Sequence, residues 1–233
     1  MNKLIRWFNI VDSNNNRFLT EIGAYVNGVM LDIGCGYKQE ALKEKVRSYI
    51  GLEYPPARKV NERLSHTDAD IFGDALYLPF KNGAFDSVIA LSLLEHLRSP
   101  QRAAEESYRV LKKGGVFCLT VPFLQKLHTQ PYDFFRFTIY GIRHIVESAG
   151  FTIVKTSNGG GMWKVFGARL AGYLYSDILG LGYGPDDRSV KPKIYLLPVL
   201  FPLIFIIVLL SRILDKLHYV PKDSLGYCLV CRK

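Results

Sequence analysis

A chain of 233 residues can bury a substantial core, and its length suits one main domain with an insertion. Its formal charge of +9 is compatible with nucleic acid, an anionic membrane surface or an acidic substrate, and does not choose among them. Four cysteines in a chain this long argue against a disulfide framework and suggest a reducing, cytoplasmic setting.

Residues 1–27 start with basic residues and reach Asp12 after an apolar run too short for a signal-peptide core, so this segment is expected to be mature and helical. Strands are expected at about 28–33, 49–53, 85–91, 116–121, 151–156 and 225–231, with a weaker one near 69–73. Helical patterns lie between them at about 39–48, 100–112 (opened by Pro100, closed by Gly114-Gly115) and 138–149 (closed by Gly150). This alternation predicts an α/β fold with a mostly parallel, doubly wound sheet. The main domain is expected over 28–157 plus 225–233.

The most informative stretch is Met30-Leu31-Asp32-Ile33-Gly34-Cys35-Gly36, followed by the acid of Ile50-Gly51-Leu52-Glu53-Tyr54. A strand ending in a glycine turn, then a second strand ending in a carboxylate, builds a nucleoside pocket at the carboxyl edge of an open sheet. Gly34 and Gly36 suit a turn that needs positive φ and close approach to a ligand. A dinucleotide fingerprint needs a third glycine where Gln39 stands, and Asp32 would repel a pyrophosphate but could serve an ammonium. The cofactor is therefore expected to be cationic.

These residues resemble the first motif and ribose-binding acid of the class I S-adenosylmethionine-dependent methyltransferases. The likeness continues through Gly73-Asp74-Ala75-Leu76-Tyr77-Leu78-Pro79-Phe80, Phe85-Asp86-Ser87-Val88-Ile89-Ala90, Leu94-Glu95-His96-Leu97 and Arg109-Val110-Leu111-Lys112-Lys113-Gly114-Gly115. It implies a seven-stranded Rossmann-like sheet with an antiparallel last strand beside 151–156. It also implies S-adenosyl-L-methionine as cofactor, with contacts from Asp32, Gly34, Cys35, Gly36, Glu53, Tyr54, Asp74, Ala75, Leu91 and His96. Glu95 is left between capping and orienting. One departure is Lys38, where many members have a further glycine.

Residues 158–224 replace the short hairpin loop expected before the last strand, and Ile194 to Leu210 carries no charge. That run is near the lower limit of about 17 residues for crossing a bilayer, and Pro198 and Pro202 interrupt it. The readings are membrane contact or a buried core helix, and a domain whose sheet has its own helices has little room for the second. Both ends of the insertion join one sheet, so any crossing must be paired. The partner segment, Met162 to Leu181, contains Lys164, Arg169 and Asp177, each costing about 2.5–3.5 kcal/mol at mid-membrane. An interfacial or re-entrant element is favoured, with Trp163, Tyr173, Tyr175, Tyr183 and Tyr195 at headgroup depth. Arg188, Lys191, Lys193, Arg212, Lys216 and Lys222 would face anionic lipid, or else form a solvated face.

Methyl transfer from a sulfonium needs a nucleophile held in line and, for a hydroxyl, relieved of its proton. The loop from Val121 to Thr138 supplies candidates: His128 as base or substrate ligand, Tyr132 beside it, and Asp133 or Arg136 to orient it or to order the loop as an ion pair. No metal set is assigned. Cys228 and Cys231 have ligand spacing but alternate across a strand, giving one core and one surface position. Nucleic acid is disfavoured for base methylation, because Ala90-Leu91-Ser92-Leu93 stands where an Asn/Asp-Pro-Pro-aromatic motif would, and Val121-Pro122-Phe123 lacks a cysteine nucleophile. The expected protein is a methyltransferase, peripheral or monotopic on the cytoplasmic face of a membrane, acting on oxygen of a small lipidic or lipid-linked acceptor. The alternatives are a nucleotide-dependent oxidoreductase and a non-catalytic, membrane-tethered cofactor-binding module.

Overall fold

A computed structural model describes residues 10–55, 67–181 and 191–233. Tyr183, Arg188 and the first nine residues, on which part of the membrane and N-terminal readings rest, lie outside the described residues. Seven strands form one sheet: β1 (Val29–Ile33), β2 (Ser48–Glu53), β3 (Ile71–Phe72), β4 (Phe85–Leu91), β5 (Leu111–Pro122), β6 (Thr152–Asn158) and β7 (Gly226–Arg232). Their order is β3-β2-β1-β4-β5-β7-β6, with the registered pairs from β3 to β5 parallel. β7 runs antiparallel to β5, with Val116 opposite Arg232 and Pro122 opposite Gly226. The sheet is the doubly wound one expected, including the reversed last strand beside β6.

Successive strand residues point to opposite faces, and each face has its own core. Leu31, Val88, Ala90, Phe117, Leu119, Leu229 and Cys231 pack with Ala103 and Val110 of α3 (Pro100–Val110) and Ile142 and Val146 of α4 (Ile139–Ser148). Met30, Ile89, Cys118, Cys228 and Val230 pack on the other face with Phe18 and Ile22 of α1 (Ile10–Ile22) and Leu42 of α2 (Glu40–Lys43). Two covered faces explain why these strands read as nearly continuous apolar runs. They also correct one expectation: Cys228 and Cys231 do face opposite ways, but both are buried, because β7 lies inside the sheet and not at its edge.

Two boundaries differ from the periodicity. The helix expected over 39–48 lasts only through α2, because Arg47 and Ser48 both donate their N–H to the Gly28 carbonyl and draw the chain into β2. Residues 111–115, expected as a helix end and turn, are already part of β5, where Gly114 and Gly115 bond the backbone of Lys233. α4 starts as its sequence suggests: the Thr138 hydroxyl accepts the Gly141 N–H at 3.1 Å as an N-cap.

Among the described residues, 10–16, 158–181 and 191–225 form a separate compact unit. α5 (Met162–Gly172) continues as a π-helical turn to Ile178; a 3-10 turn, Ile194–Leu196, leads into α6 (Leu197–Leu217). The two legs are antiparallel, since the start of α5 meets the end of α6 at Gly161 and Asp215, and Lys193 donates to the Leu179 carbonyl at the far end. Small residues, Gly167 and Ala171, are buried on one leg, and Ile204 and Val208 on the other. The prolines do not interrupt α6: Pro198 occupies its first turn, where an N–H has no helical partner, and the helix continues through Pro202.

The base of this hairpin is polar and buried. The Asp215 carboxylate accepts the Gly161 N–H at 3.0 Å and the Lys164 N–H at 3.4 Å, and the Lys164 ammonium lies 3.6 Å away. A helix start is thus capped by a side chain from fifty residues on. Gly161 is required there, since a Cβ would lie 2.8 Å from both the Asp215 carboxylate and the Val220 carbonyl. The outside of α6 is apolar: Val199, Leu203, Ile206, Leu210, Ile213 and Leu217 are all exposed. The buried-core reading of this helix is corrected accordingly.

Candidate active site

The site is built at the carboxyl ends of β1, β2 and β4. After β1 the chain turns with Gly34 at φ +71° and Gly36 at φ +48°, and Gly34 and Cys35 both donate to the Leu52 carbonyl, at 2.8 and 3.2 Å. Glu53 ends β2 and braces the turn: one carboxylate oxygen accepts the Gly36 N–H and the other the Tyr54 N–H, each at 2.9 Å. Each oxygen keeps a lone pair for a further donor, such as a ribose hydroxyl.

Asp32 lies deeper. It is 1 % exposed, its carboxyl accepts a hydrogen bond from the Tyr49 hydroxyl, and burial pushes its pKa up to about 7, with Tyr49 opposing and Glu53 adding to the rise. The Tyr49 oxygen in turn accepts the Gln39 N–H at 3.1 Å, so Asp32 supports the turn from beneath. The Cys35 thiol packs against Gly51, where a Cβ would lie 2.8 Å from Sγ, and burial raises its pKa to about 12. Lys38 bonds Asp70 at 2.7 Å, and Asp70 accepts the Gly51 N–H at 2.7 Å, so the residue replacing the usual glycine ties the turn to the approach to β3.

Asp74 folds its own loop by accepting the Leu76 N–H at 2.8 Å, and Ala75 is buried. Sequence reading missed what fixes this loop from outside. Arg109 donates to the Leu78 and Phe80 carbonyls at 2.9 and 2.7 Å, and Glu106 accepts the Leu78 N–H at 2.9 Å. The spacing of Glu106 and Arg109 on one helix face was the available signal.

β4 ends at Leu91, and Ser92 turns the chain with φ +49°, held by its N–H to both the carbonyl and the hydroxyl of Thr120. A left-handed non-glycine residue is characteristic of functional turns. It sets the Leu93 side chain against the glycine turn, where a Cβ on Gly34 would lie 2.7 Å from it. Glu95 and His96 follow in a 3-10 turn, Leu94–His96.

Here the structure brings together what the sequence separates. The loop after β5 folds back so that Phe134 donates to the Glu95 carbonyl at 2.8 Å and His96 Nδ1 meets the Tyr132 carbonyl at 2.6 Å. Tyr132 therefore contributes its backbone, while its side chain is exposed. Asp133 and Arg136 form a two-pronged ion pair at 2.6 and 2.7 Å, Asp133 accepts the His128 N–H at 2.9 Å, and its pKa falls to about 2 against the opposing pull of burial. The His96 and His128 rings meet edge to face, 4.9 Å between centroids. Beneath them the Glu95 side chain is fully buried, and burial pushes its pKa up to about 8. Among the described residues neither of its oxygens has a hydrogen-bond partner.

The glycine cradle and a carboxylate pair with spare acceptor capacity suit a nucleoside, and the acids suit one carrying a cationic chain. Comparison with known proteins agrees. A model of the methyltransferase domain matches residues 31–119. A Mycolicibacterium smegmatis protein named "Probable S-adenosylmethionine-dependent methyltransferase" is 28 % identical over 54 % of this chain and 53 % of its own, so the chain spans about half of that relative. The ubiquinone biosynthesis O-methyltransferase of Pseudomonas aeruginosa (strain LESB58) is 27 % identical over 70 % of this chain and 71 % of its own. In fold, the chain is similar to an S-adenosylmethionine-dependent methyltransferase of Archaeoglobus fulgidus, with a TM-score of 0.54, 17 % identity and coverage of 97 % and 94 % of the two chains. Residues 31–119 thus match a methyltransferase domain, and the chain as a whole is similar to proteins named as S-adenosylmethionine-dependent methyltransferases.

Proposed function

We propose that the protein methylates an oxygen of a small lipidic or lipid-linked acceptor at a membrane surface. The observation that carries the membrane half is the exposed apolar face of α6, Val199 through Leu217, on a hairpin whose base is polar. Contiguous exposed apolar surface on this scale marks a docking face. Small residues where α5 meets α6 are the packing used between helices in lipid, where apolar burial gives no drive to associate. A hairpin returns the chain to the side it left, as the topology demands. Arg169 and Asp177 remain exposed on the first leg, which favours lying at the interface over crossing. The acceptor class is supported by the relative named for ubiquinone biosynthesis.

When bound, S-adenosylmethionine supplies an electrophilic methyl carbon. Gly34, Gly36 and Glu53 bind the nucleoside, with Tyr54, Asp74, Ala75 and Leu91 lining the adenine side and Asp32 and Cys35 supporting the turn. His128 takes the acceptor proton on Nε2, and the Asp133–Arg136 pair holds its loop in place. His96, tied to the Tyr132 carbonyl, shapes the pocket near the reacting centre.

Vesicle flotation tests the membrane half: the protein is expected to float with anionic vesicles, and the double variant Ile206→Glu/Leu210→Glu to stay at the bottom. Wild-type protein that fails to float would sink it. Incubation with radiolabelled S-adenosylmethionine and membrane lipid extract tests the acceptor: label should enter the lipid phase, and label confined to water-soluble products would overturn the lipidic reading.

A further inference from the structure

We infer that Glu95, His96 and His128 form a binding site for a first-row divalent cation such as Zn²⁺, a site absent from the sequence reading. The ligand atoms of the three side chains lie within 4.8 Å of one another. Glu95 Oε1 is 3.8 Å from His96 Nε2 and 4.0 Å from His128 Nε2. Those distances are too long for hydrogen bonds. They suit two ligands on one ion: a point between the three lies about 2–2.5 Å from each, against metal bonds to imidazole and carboxylate of about 2.0–2.2 Å.

The tautomers point the same way. His96 Nδ1 contacts a carbonyl, that of Tyr132 at 2.6 Å, so Nδ1 carries the proton and Nε2 presents its lone pair to Glu95. His128 Nδ1 lies 3.2 Å from the Lys126 carbonyl and 3.3 Å from an Arg136 nitrogen. That nitrogen already spends its two protons on the Lys126 carbonyl, at 2.9 Å, and Asp133, at 2.7 Å. His128 Nδ1 must therefore donate, leaving its Nε2 lone pair toward Glu95 as well. Two lone pairs thus face a buried carboxyl whose oxygens have no hydrogen-bond partner among the described residues. A cation resolves that arrangement.

The outer contacts are those that orient metal ligands. A backbone carbonyl fixes each imidazole, and the Asp133–Arg136 pair fixes the loop carrying His128. Two imidazoles and a carboxylate select Zn²⁺ or a neighbouring first-row ion over Mg²⁺ or Ca²⁺, which prefer all-oxygen shells. Three protein ligands leave positions open, so the cation could polarise an acceptor hydroxyl in place of base action by His128. That consequence rests on the proposed methyl transfer; the binding does not.

The test is calorimetric titration of ZnCl₂ into the full chain after chelator treatment, with S-adenosylmethionine titrated separately. One equivalent of Zn²⁺ should bind, with affinity falling roughly 100-fold or more in Glu95→Gln and in His128→Ala, and staying unchanged in the control His218→Ala. Absence of Zn²⁺ binding, or equal affinity in both ligand variants, would overturn the inference. Should Glu95→Gln fail to fold, His128→Ala decides alone, because that side chain is partly exposed on a loop. Loss of S-adenosylmethionine binding with Zn²⁺ binding intact would count against the methyltransferase reading and leave the cation site standing.

Discussion

The sheet unit and the hairpin unit use the same apolar residue types in opposite ways. In the sheet, Leu31, Phe117 and Leu119 are fully buried between strands and helices. In the hairpin, Leu203, Ile206 and Leu210 face outward, while Gly167, Ala171 and the capping Asp215 lie inside. The first arrangement is what water imposes, the hydrophobic effect gathering large side chains inward. The second is what the proposed membrane contact would require, since in lipid close backbone approach and internally satisfied polar groups hold helices together.

The comparison breaks most sharply on a matched pair of truncations. Leu119→Ala should cost about 2–5 kcal/mol in urea denaturation, whereas Leu210→Ala should change stability by less than about 0.5 kcal/mol. A large loss from Leu210→Ala would mean that the outer face of α6 is packed against protein. Next comes Asp215→Ala, expected to cost about 1.5–3 kcal/mol by stripping the charged acceptor from the start of α5. Hydrogen exchange should show the loss confined to residues 162–172, and uniform loss across the sheet would show that the two units unfold as one.

Within the sheet unit, Glu53→Gln keeps the shape but weakens the acceptor for the Gly36 and Tyr54 N–H groups and, on the proposed function, for the ribose. S-adenosylmethionine affinity should fall about tenfold to a hundredfold by calorimetry, with little change in melting temperature. The smallest effect concerns pH. Asp133 has a folded pKa of about 2, below its ordinary value of 3.8, so its pair with Arg136 contributes stability that is complete above that ordinary value and is lost as pH falls toward 2. The contribution should be below about 2 kcal/mol. Asp133→Asn should flatten acid unfolding in that window, and an unchanged acid limb would show that the pair contributes nothing to folding.

The turn of the proposed cofactor half was legible because its groups are local: Gly34, Gly36 and Glu53 sit at strand ends, where spacing along the chain maps directly onto the sheet edge. The acceptor half was less so. His128 and Asp133 were readable as candidates, but Glu95 became a central group only because a loop some forty residues later covers it, and no periodicity reports that closure. The helix expected over 39–48 failed for a similar reason: long-range bonds to Gly28 outweighed local helical preference.

By itself, then, the sequence determined the doubly wound sheet, the reversed last strand, the glycine turn with its acid, and a charge-free run from Ile194 to Leu210, because each depends on residue type and short-range spacing. Tertiary structure alone decided that both faces of β7 are covered, that Asp215 caps a helix fifty residues earlier, and that one carboxyl and two imidazoles bring their ligand atoms within 4.8 Å of one another. Those outcomes depend on contacts between distant segments, whose free energy is settled only when the whole chain has closed around them.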